Sequence, residues 1–223
     1  MARPVLAFDV YGTLFDTRGV IAALAAYAGQ DAGALAQLWR DKQLEYSFRK
    51  GLMGAYQDFT QCTRQALDYV CTRAGLALDD EQRSNLLAAY DHLPAFDDAE
   101  PALEQLETDG FAIYAFSNGP ARAVWSLLQS SQLAPYFLDV ISVDEIRSFK
   151  PDPEVYRHFL RRANCHGSGT WLVSANPFDV IGALAAGWQA AWVQRDSAAI
   201  FDPWDMEPSA TLRNLTELRA LFG

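Results

Sequence analysis

The stretch Phe8-Asp9-Val10-Tyr11-Gly12-Thr13-Leu14-Phe15-Asp16 constrains this chain more than any other, because it sets one carboxylate at the mouth of a tight turn. The apolar run before it ends in Val5-Leu6-Ala7-Phe8, which reads as a short buried strand closed by a turn signal. Gly12 lets the backbone bend sharply enough to bring amide N–H groups towards a bound anion. Asp9, at the carboxyl end of that strand, is placed to act as a nucleophile. An Asp that merely ends a strand and caps a turn fits the same pattern.

Composition narrows the partners. With 223 residues the chain can bury a full core, and 50% hydrophobic against 21% charged residues is a globular balance. A formal net charge of -10 argues against nucleic acid and against an anionic membrane surface, both of which need clustered Lys and Arg. It leaves room for a small anionic substrate, since a few buried cationic groups can dominate the field inside a cleft. No apolar run is long enough to span a bilayer and Met1-Ala2-Arg3 opens no basic-then-apolar leader, so an unprocessed cytoplasmic protein is expected. Cys62, Cys71 and Cys165 lack CxxC spacing, and His92, His158 and His166 lack the spacing of a metal site or triad. Free thiols and surface or structural histidines are the expectation.

From Asp16 to Pro94 the pattern is helical. Leu35, Leu38 and Trp39 keep helical spacing after Asp31; Phe59, Cys62, Ala66, Tyr69 and Val70 make a second stripe that ends near Gly75; a third pattern covers Asp79 to His92. Three or four helices with short connections predict a small bundle over 16–94, inserted in an α/β domain made of 1–15 and 95–223. In that domain strands are expected at Phe111–Phe116, about Leu138–Val143, Thr170–Val173 and about Gln189–Val193, alternating with helices that start near Pro101, Ala121, Pro153 and Val180. A loop through Pro203 and Pro208 and a closing helix over Leu215 to Leu221 follow, with no visible chemistry. The fold class is therefore α/β: a Rossmann-like doubly wound parallel sheet with an inserted helical-bundle cap.

The chemically loaded residues fall at strand ends. Ser117-Asn118-Gly119 ends the second strand with groups that bind anions or cap the helix beginning near Ala121. Lys150, before Pro151, sits in extended backbone, so its long stem can cross a cleft to set a positive charge beside Asp9. Ser174-Ala175-Asn176-Pro177-Phe178-Asp179 ends the fourth strand with a single carboxylate. Arg40 in Trp39-Arg40-Asp41-Lys42-Gln43-Leu44-Glu45-Tyr46 reads either as a solvated helix face or as a site residue.

Asp9-Val10-Tyr11-Gly12-Thr13-Leu14, Ser117-Asn118-Gly119, Ser148-Phe149-Lys150-Pro151 and Ser174-x-Asn176-x-Phe178-Asp179, in this order, resemble the motifs of the haloacid dehalogenase superfamily, and of its type II haloacid dehalogenases in particular. Phosphatases of that superfamily carry a second Asp two residues after the nucleophile and bind Mg²⁺ through further carboxylates. Here Tyr11 stands in the first place, and Ser174 and Asn176 in the region of the second. The resemblance thus implies a metal-free, cofactor-free hydrolase acting on carbon–halide bonds, turning short L-2-haloalkanoic acids and haloacetates into 2-hydroxy acids with inversion through an aspartyl ester. Which halogen, fluoride included, and which chain length it prefers stay open.

By resemblance, Arg40 and Asn118 stabilise the leaving halide with Phe178 beside it, while Tyr11, Leu44 and Phe59 line the pocket; core packing competes for Leu44 and Phe59. Ser117, Lys150 and amides after Asp9 hold the substrate carboxylate, and Thr13 hydrogen-bonds within the first motif. Asp179, held by Lys150, Ser174 and Asn176, activates water, with Tyr156 beside the site or packed with Val155 and Phe159. Ala175 and Pro177 depart from the expected Ser-Ser-Asn-Ala or Ser-Ser-Asn-Gly and bear on the loop backbone. A homodimer is implied. A Mg²⁺-dependent phosphatase and a catalytically silent binding protein are the alternatives.

Overall fold

Strand β1 (Val5–Asp9) is buried from Leu6 onward, as a central strand covered on both faces must be, and its apolar run needs no alternation. The computed structural model describes residues 3–223 of the chain, which divide into two compact units, Met1–Phe15 with Ala95–Gly223 and, separately, Asp16–Pro94.

The second unit holds helices α1 (Val20–Ala28), α2 (Ala32–Leu52), α3 (Phe59–Ala74) and α4 (Asp80–Ala88). Their ends follow local chemistry. Asp58 caps α3 by accepting from the Gln61 amide at 2.9 Å, and Gly75 closes it at φ 66°, a conformation that costs glycine little. Asp79 and Gln82 form a reciprocal capping box on α4. α2 and α3 are joined by buried polar bonds: the Trp39 indole donates to the Thr63 carbonyl at 2.9 Å, and Gln43 Nε2 donates to Thr63 Oγ1 at 2.5 Å. The stripe on α3 is buried at Phe59, Cys62, Ala66 and Val70, but Tyr69 is exposed and carries the Lys42 ammonium 4.6 Å above its ring.

The first unit continues with α5 (Ala99–Thr108), β2 (Ala112–Ser117), α6 (Ala121–Ser130), β3 (Asp139–Ser142), α7 (Pro153–Ala163), β4 (Thr170–Ser174), α8 (Pro177–Ala185), β5 (Gln189–Val193) and β6 (Ala210–Leu212). The strands pair in parallel in the order β3-β2-β1-β4-β5-β6. The order reverses between β1 and β4, which is where an open parallel sheet leaves a crevice at its carboxyl edge. Asp9 ends β1 and Ser174 ends β4, so the crevice opens on these two residues.

Three expectations are corrected. β6 is a sixth strand within what reads as a loop, and three residues are too few to show a period. Leu215–Leu221 is a 3₁₀ helix rather than an α-helix; Leu215 and Leu218 are buried three residues apart, the 3₁₀ repeat, while Leu221 is exposed. α8 starts at Pro177, not Val180, because proline suits the first helical position.

Cys62 and Cys71 are buried free thiols and Cys165 is a half-buried one. Behind β2, Phe116, Phe159 and Trp188 meet with ring centroids 5.0–6.1 Å apart, and Tyr156 closes on Phe116 at 5.8 Å and on Trp188 at 5.6 Å. Phe159 is fully buried at the centre of this group. Phe159→Ala should therefore lower stability by about 3–5 kcal/mol, from lost burial plus the cavity left behind, read as a lower midpoint in urea denaturation.

Candidate active site

The turn after β1 is held by its own backbone. The amides of Thr13, Leu14 and Phe15 all reach the Val10 carbonyl, and the Gly12 amide reaches the Phe15 carbonyl, with Gly12 at φ 88°. The amides from Gly12 to Phe15 are thus spent on the turn, so among the amides that follow Asp9 the expected use for an anion falls to those of Val10 and Tyr11.

Asp9 is almost buried, and its two oxygens are treated differently. Oδ2 accepts three neutral donors: Asn176 Nδ2 at 2.6 Å, Thr13 Oγ1 at 2.8 Å and Ser174 Oγ at 3.2 Å. Oδ1 accepts Lys150 Nζ at 3.2 Å. Thr13 has one proton to give, and its direction is set because the same oxygen accepts the Ala175 amide at 2.8 Å. Asn176 also donates to the Tyr11 carbonyl at 3.1 Å, and the Trp192 indole donates to the Ala175 carbonyl at 3.2 Å, steadying the 174–176 loop.

Lys150 is buried and spends all three ammonium protons: on Asp9, on Asp179 Oδ2 at 2.7 Å and on the Phe116 carbonyl at 2.8 Å. It bridges the two carboxylates, the place expected for a positive charge beside Asp9 and for a group that holds Asp179. Asp179, in the first turn of α8, is fully buried and accepts Tyr156 Oη at 2.8 Å on its other oxygen. Burial pushes its carboxyl up to about 6, with the Asp9 charge adding to the rise and Lys150 and Tyr156 opposing it. Burial, then the neighbouring Asp179, holds the Tyr156 phenol well above its usual range, so it is a proton donor at neutral pH.

Ser174 and Asn176 were expected to hold Asp179 and instead hold Asp9. The reason is topological. β4 lies next to β1, so the end of β4 faces the end of β1, whereas Asp179 has moved half a turn into α8.

Ser117 and Asn118 do not cap α6, whose N-cap is Pro120 with no side-chain bond. The Asn118 Oδ1 accepts the Lys150 amide at 2.9 Å, which fixes the orientation of the group and leaves its NH₂ as a donor. Ser117 Oγ accepts the Gly119 amide at 3.0 Å and keeps its proton to give. Tyr11 is buried against Gly119, where an added Cβ would come within 2.8 Å of the ring. Phe178 is half-buried at the start of α8.

The structure therefore brings Asp9, Thr13, Lys150, Ser174, Asn176, Asp179 and Tyr156 into one hydrogen-bonded cluster, with Asn118 joined through the Lys150 amide. Arg40, Leu44 and Phe59 belong to the helical unit. There Arg40 Nη1 donates to Gln43 Oε1 at 2.6 Å, Leu44 is half-buried and Phe59 is buried. One contributor was missed. Gly182 stands where any Cβ would collide with Tyr156 Oη and approach Pro151 to 2.7 Å, so the bare backbone of α8 admits the phenol to Asp179. A lone glycine inside the apolar helix Val180-Ile181-Gly182-Ala183 was the signal for it.

Among the described residues no group of three or more His, Cys, Asp or Glu is arranged to hold a metal ion. The donor set says more. The Asp9 oxygen that a metal would need is occupied by three hydrogen-bond donors, two of them the neutral side chains of Ser174 and Asn176.

Residues 4–187 match the family model of haloacid dehalogenase-like hydrolases. The chain is 36% identical over 214 residues to an (S)-2-haloacid dehalogenase of Pseudomonas putida, covering 96% of this chain and 93% of that one. It is 34% identical to the haloacetate dehalogenase H-2 of a Moraxella species, covering 93% and 92%. It also superposes on the L-2-haloacid dehalogenase of Xanthobacter autotrophicus with chloropropionic acid covalently bound, at TM-score 0.91 and 30% identity over 99% of this chain and 98% of that one. A nucleophile-bearing first strand at the switch point of the sheet, matched along most of its length by these proteins, makes this chain a member of the haloacid dehalogenase-like hydrolase family.

Proposed function

We propose that this protein hydrolyses short 2-haloalkanoic acids, L-2-haloacids and haloacetates, to 2-hydroxy acids with inversion through an ester on Asp9 and without a metal. The observation that carries this reading is the unequal treatment of the Asp9 oxygens among the described residues: three neutral donors on Oδ2 and one donor, the Lys150 ammonium, on Oδ1.

Oδ1 attacks the carbon bearing the halogen from the side opposite the leaving group; the carbon–oxygen bond forms as the carbon–halogen bond breaks, and halide departs with the bonding pair. No proton donor is needed, so Tyr11 in place of the phosphatase acid is no loss. Asp179 then takes a proton from water, whose oxygen attacks the ester carbonyl carbon. The negative charge collects on Oδ2, where Thr13, Asn176 and Ser174 already point, and they act as its oxyanion hole. Cleavage of the acyl–oxygen bond passes the proton held by Asp179 to the departing alkoxide and frees the hydroxy acid, while the remaining water proton leaves the new Asp9 carboxyl for solvent and restores the carboxylate.

In this reading Ser117 holds the substrate carboxylate, Asn118 and Arg40 stabilise the departing halide, and Tyr11, Leu44, Phe59 and Phe178 shape the pocket. Lys150 sets its positive charge beside Asp9, and Tyr156 orients Asp179. We also propose a cytoplasmic homodimer; Leu52 and Met53, 90% and 73% exposed at the end of α2, supply an apolar surface for it.

The test is halide release from L-2-chloropropionate and chloroacetate after EDTA treatment, beside a phosphate ester with and without Mg²⁺. Halide should appear in EDTA and vanish in Asp9→Asn; phosphate release that requires Mg²⁺ would instead make the protein a phosphatase, and binding without turnover a silent receptor.

Asp179 must be ionised to accept a proton from water, and its carboxyl lies above the ordinary range, so loss of the base is expected on the acid side. Because the ester removes the Asp9 charge that helps to raise this carboxyl, ester hydrolysis should hold down to about pH 6 and fall about tenfold per unit at some point below it, with ester accumulating on the protein. Asp179→Asn should slow hydrolysis by about 10²–10⁴-fold while the halide burst persists, read by rapid quench and intact-protein mass spectrometry.

A further inference from the structure

Arg195 lies two residues beyond β5, at the same carboxyl edge of the sheet as the reacting groups, in a segment whose sequence shows no chemistry. Its guanidinium nevertheless reaches the nucleophile turn. Nη2 donates to the Thr13 carbonyl at 2.5 Å, Nη1 donates to Asp98 Oδ2 at 2.6 Å, and the plane lies 3.9 Å from the centroid of the Phe96 ring. Asp98 Oδ2 is held in turn by the Leu215 amide at 2.7 Å. One side chain thus ties the turn after β1, the segment in which the chain re-enters the core, and the start of the closing 3₁₀ helix.

The pair is mostly buried, at 16% and 15% side-chain exposure, and is imperfectly satisfied. Arg195 Nε and Asp98 Oδ1 are buried with no hydrogen-bond partner among the described residues. A buried ion pair with two unmet atoms is a poor device for stability alone. Its place suggests another use. The carbonyls of Val10, Leu14 and Phe15 accept backbone amides, whereas those of Tyr11 and Thr13 accept side chains, Asn176 from the neighbouring strand end and Arg195 from beyond β5. Thr13 is also the residue whose hydroxyl meets Asp9 Oδ2.

We propose that Arg195 is a positioning residue for the second chemical step: it holds the Thr13 peptide so that the Thr13 hydroxyl stays on Asp9 Oδ2. This rests on the aspartyl-ester reading. The two steps make opposite demands on that hydrogen bond. As Asp9 alkylates, negative charge leaves its carboxylate and the bond weakens; as water attacks the ester, charge returns to Oδ2 and the bond strengthens. Loosening Thr13 therefore slows hydrolysis and spares ester formation.

Rapid quench of a single turnover of L-2-chloropropionate, with intact-protein mass spectrometry, reads the two rates separately. In Arg195→Met, ester decay should slow by about tenfold, less than the 10²–10³ lost when an oxyanion donor is removed outright. Ester formation should stay within about threefold, since no donor is lost to the first step. Arg195→Lys, which keeps a donor for the Thr13 carbonyl, should recover part of the loss and serves if the Met variant folds poorly. Adding Arg195→Met to Thr13→Val should slow decay no further, because both act through one hydroxyl. Equal slowing of both rates, unchanged decay in Arg195→Met, or a full additive loss in the double variant would each overturn the proposal. A wild-type protein that forms no ester would overturn the aspartyl-ester reading itself, whatever the variants do.

Discussion

The buried ammonium of Lys150, 3.2 Å from Asp9 and 2.7 Å from Asp179, is the interaction on which the rest of the site depends. At an effective dielectric of ~20 each contact at this range is worth roughly 5–6 kcal/mol of Coulomb attraction, while desolvation costs several kcal/mol per ion. Remove the lysine and two carboxylates would face each other in a buried cluster with no cation between them. Even with it, one positive charge serves two negative ones. The remaining demand is met by neutral donors, Thr13, Ser174 and Asn176 on Asp9 and Tyr156 on Asp179.

That distribution separates the roles of two chemically identical groups. Asp9 sits at a sheet end among polar side chains, whereas Asp179 is sealed in the first turn of α8 beneath Tyr156, where burial outweighs its partners and raises its carboxyl to about 6. A carboxylate poised near neutrality suits a base that must take a proton from water and later release it. Lys150 connects the two, donating to one oxygen of each.

The sheet supplies the precision. β1 lies between β2 and β4, so their carboxyl ends bring Ser117, Asp9 and Ser174 side by side, on backbone held by ladders of hydrogen bonds. Loops do the rest under restraint: Trp192 pins Ala175, Arg195 pins Thr13, and Asn118 pins the Lys150 amide. Two bare positions make room, Gly119 for the Tyr11 ring and Gly182 for the Tyr156 phenol.

The sequence by itself determined the order and chemistry of the parts. Short apolar runs marked five of the six strands, and the helical insertion was legible from its 3.6-residue spacing, because both signals are local. Asp9 and Ser117 were legible for the same reason, since each ends its run, and Lys150 and Asp179 were legible from the short motifs around them in the loops and helix start that follow β3 and β4. Contacts between residues far apart in the chain were not. That Ser174 and Asn176 hold Asp9, 165 and 167 residues away, rather than nearby Asp179, follows from β4 lying beside β1, and strand order has no local signature. β6 and the 3₁₀ character of Leu215–Leu221 were likewise decided by packing, as each is too short for a period of its own to show. Tertiary structure also decided that Lys150 spends its protons on two carboxylates and a carbonyl, and that Arg195, unremarkable in its own segment, reaches the nucleophile turn. A side chain's type sets what it can do, and the fold selects its partner because only the folded chain brings distant backbone within hydrogen-bond range.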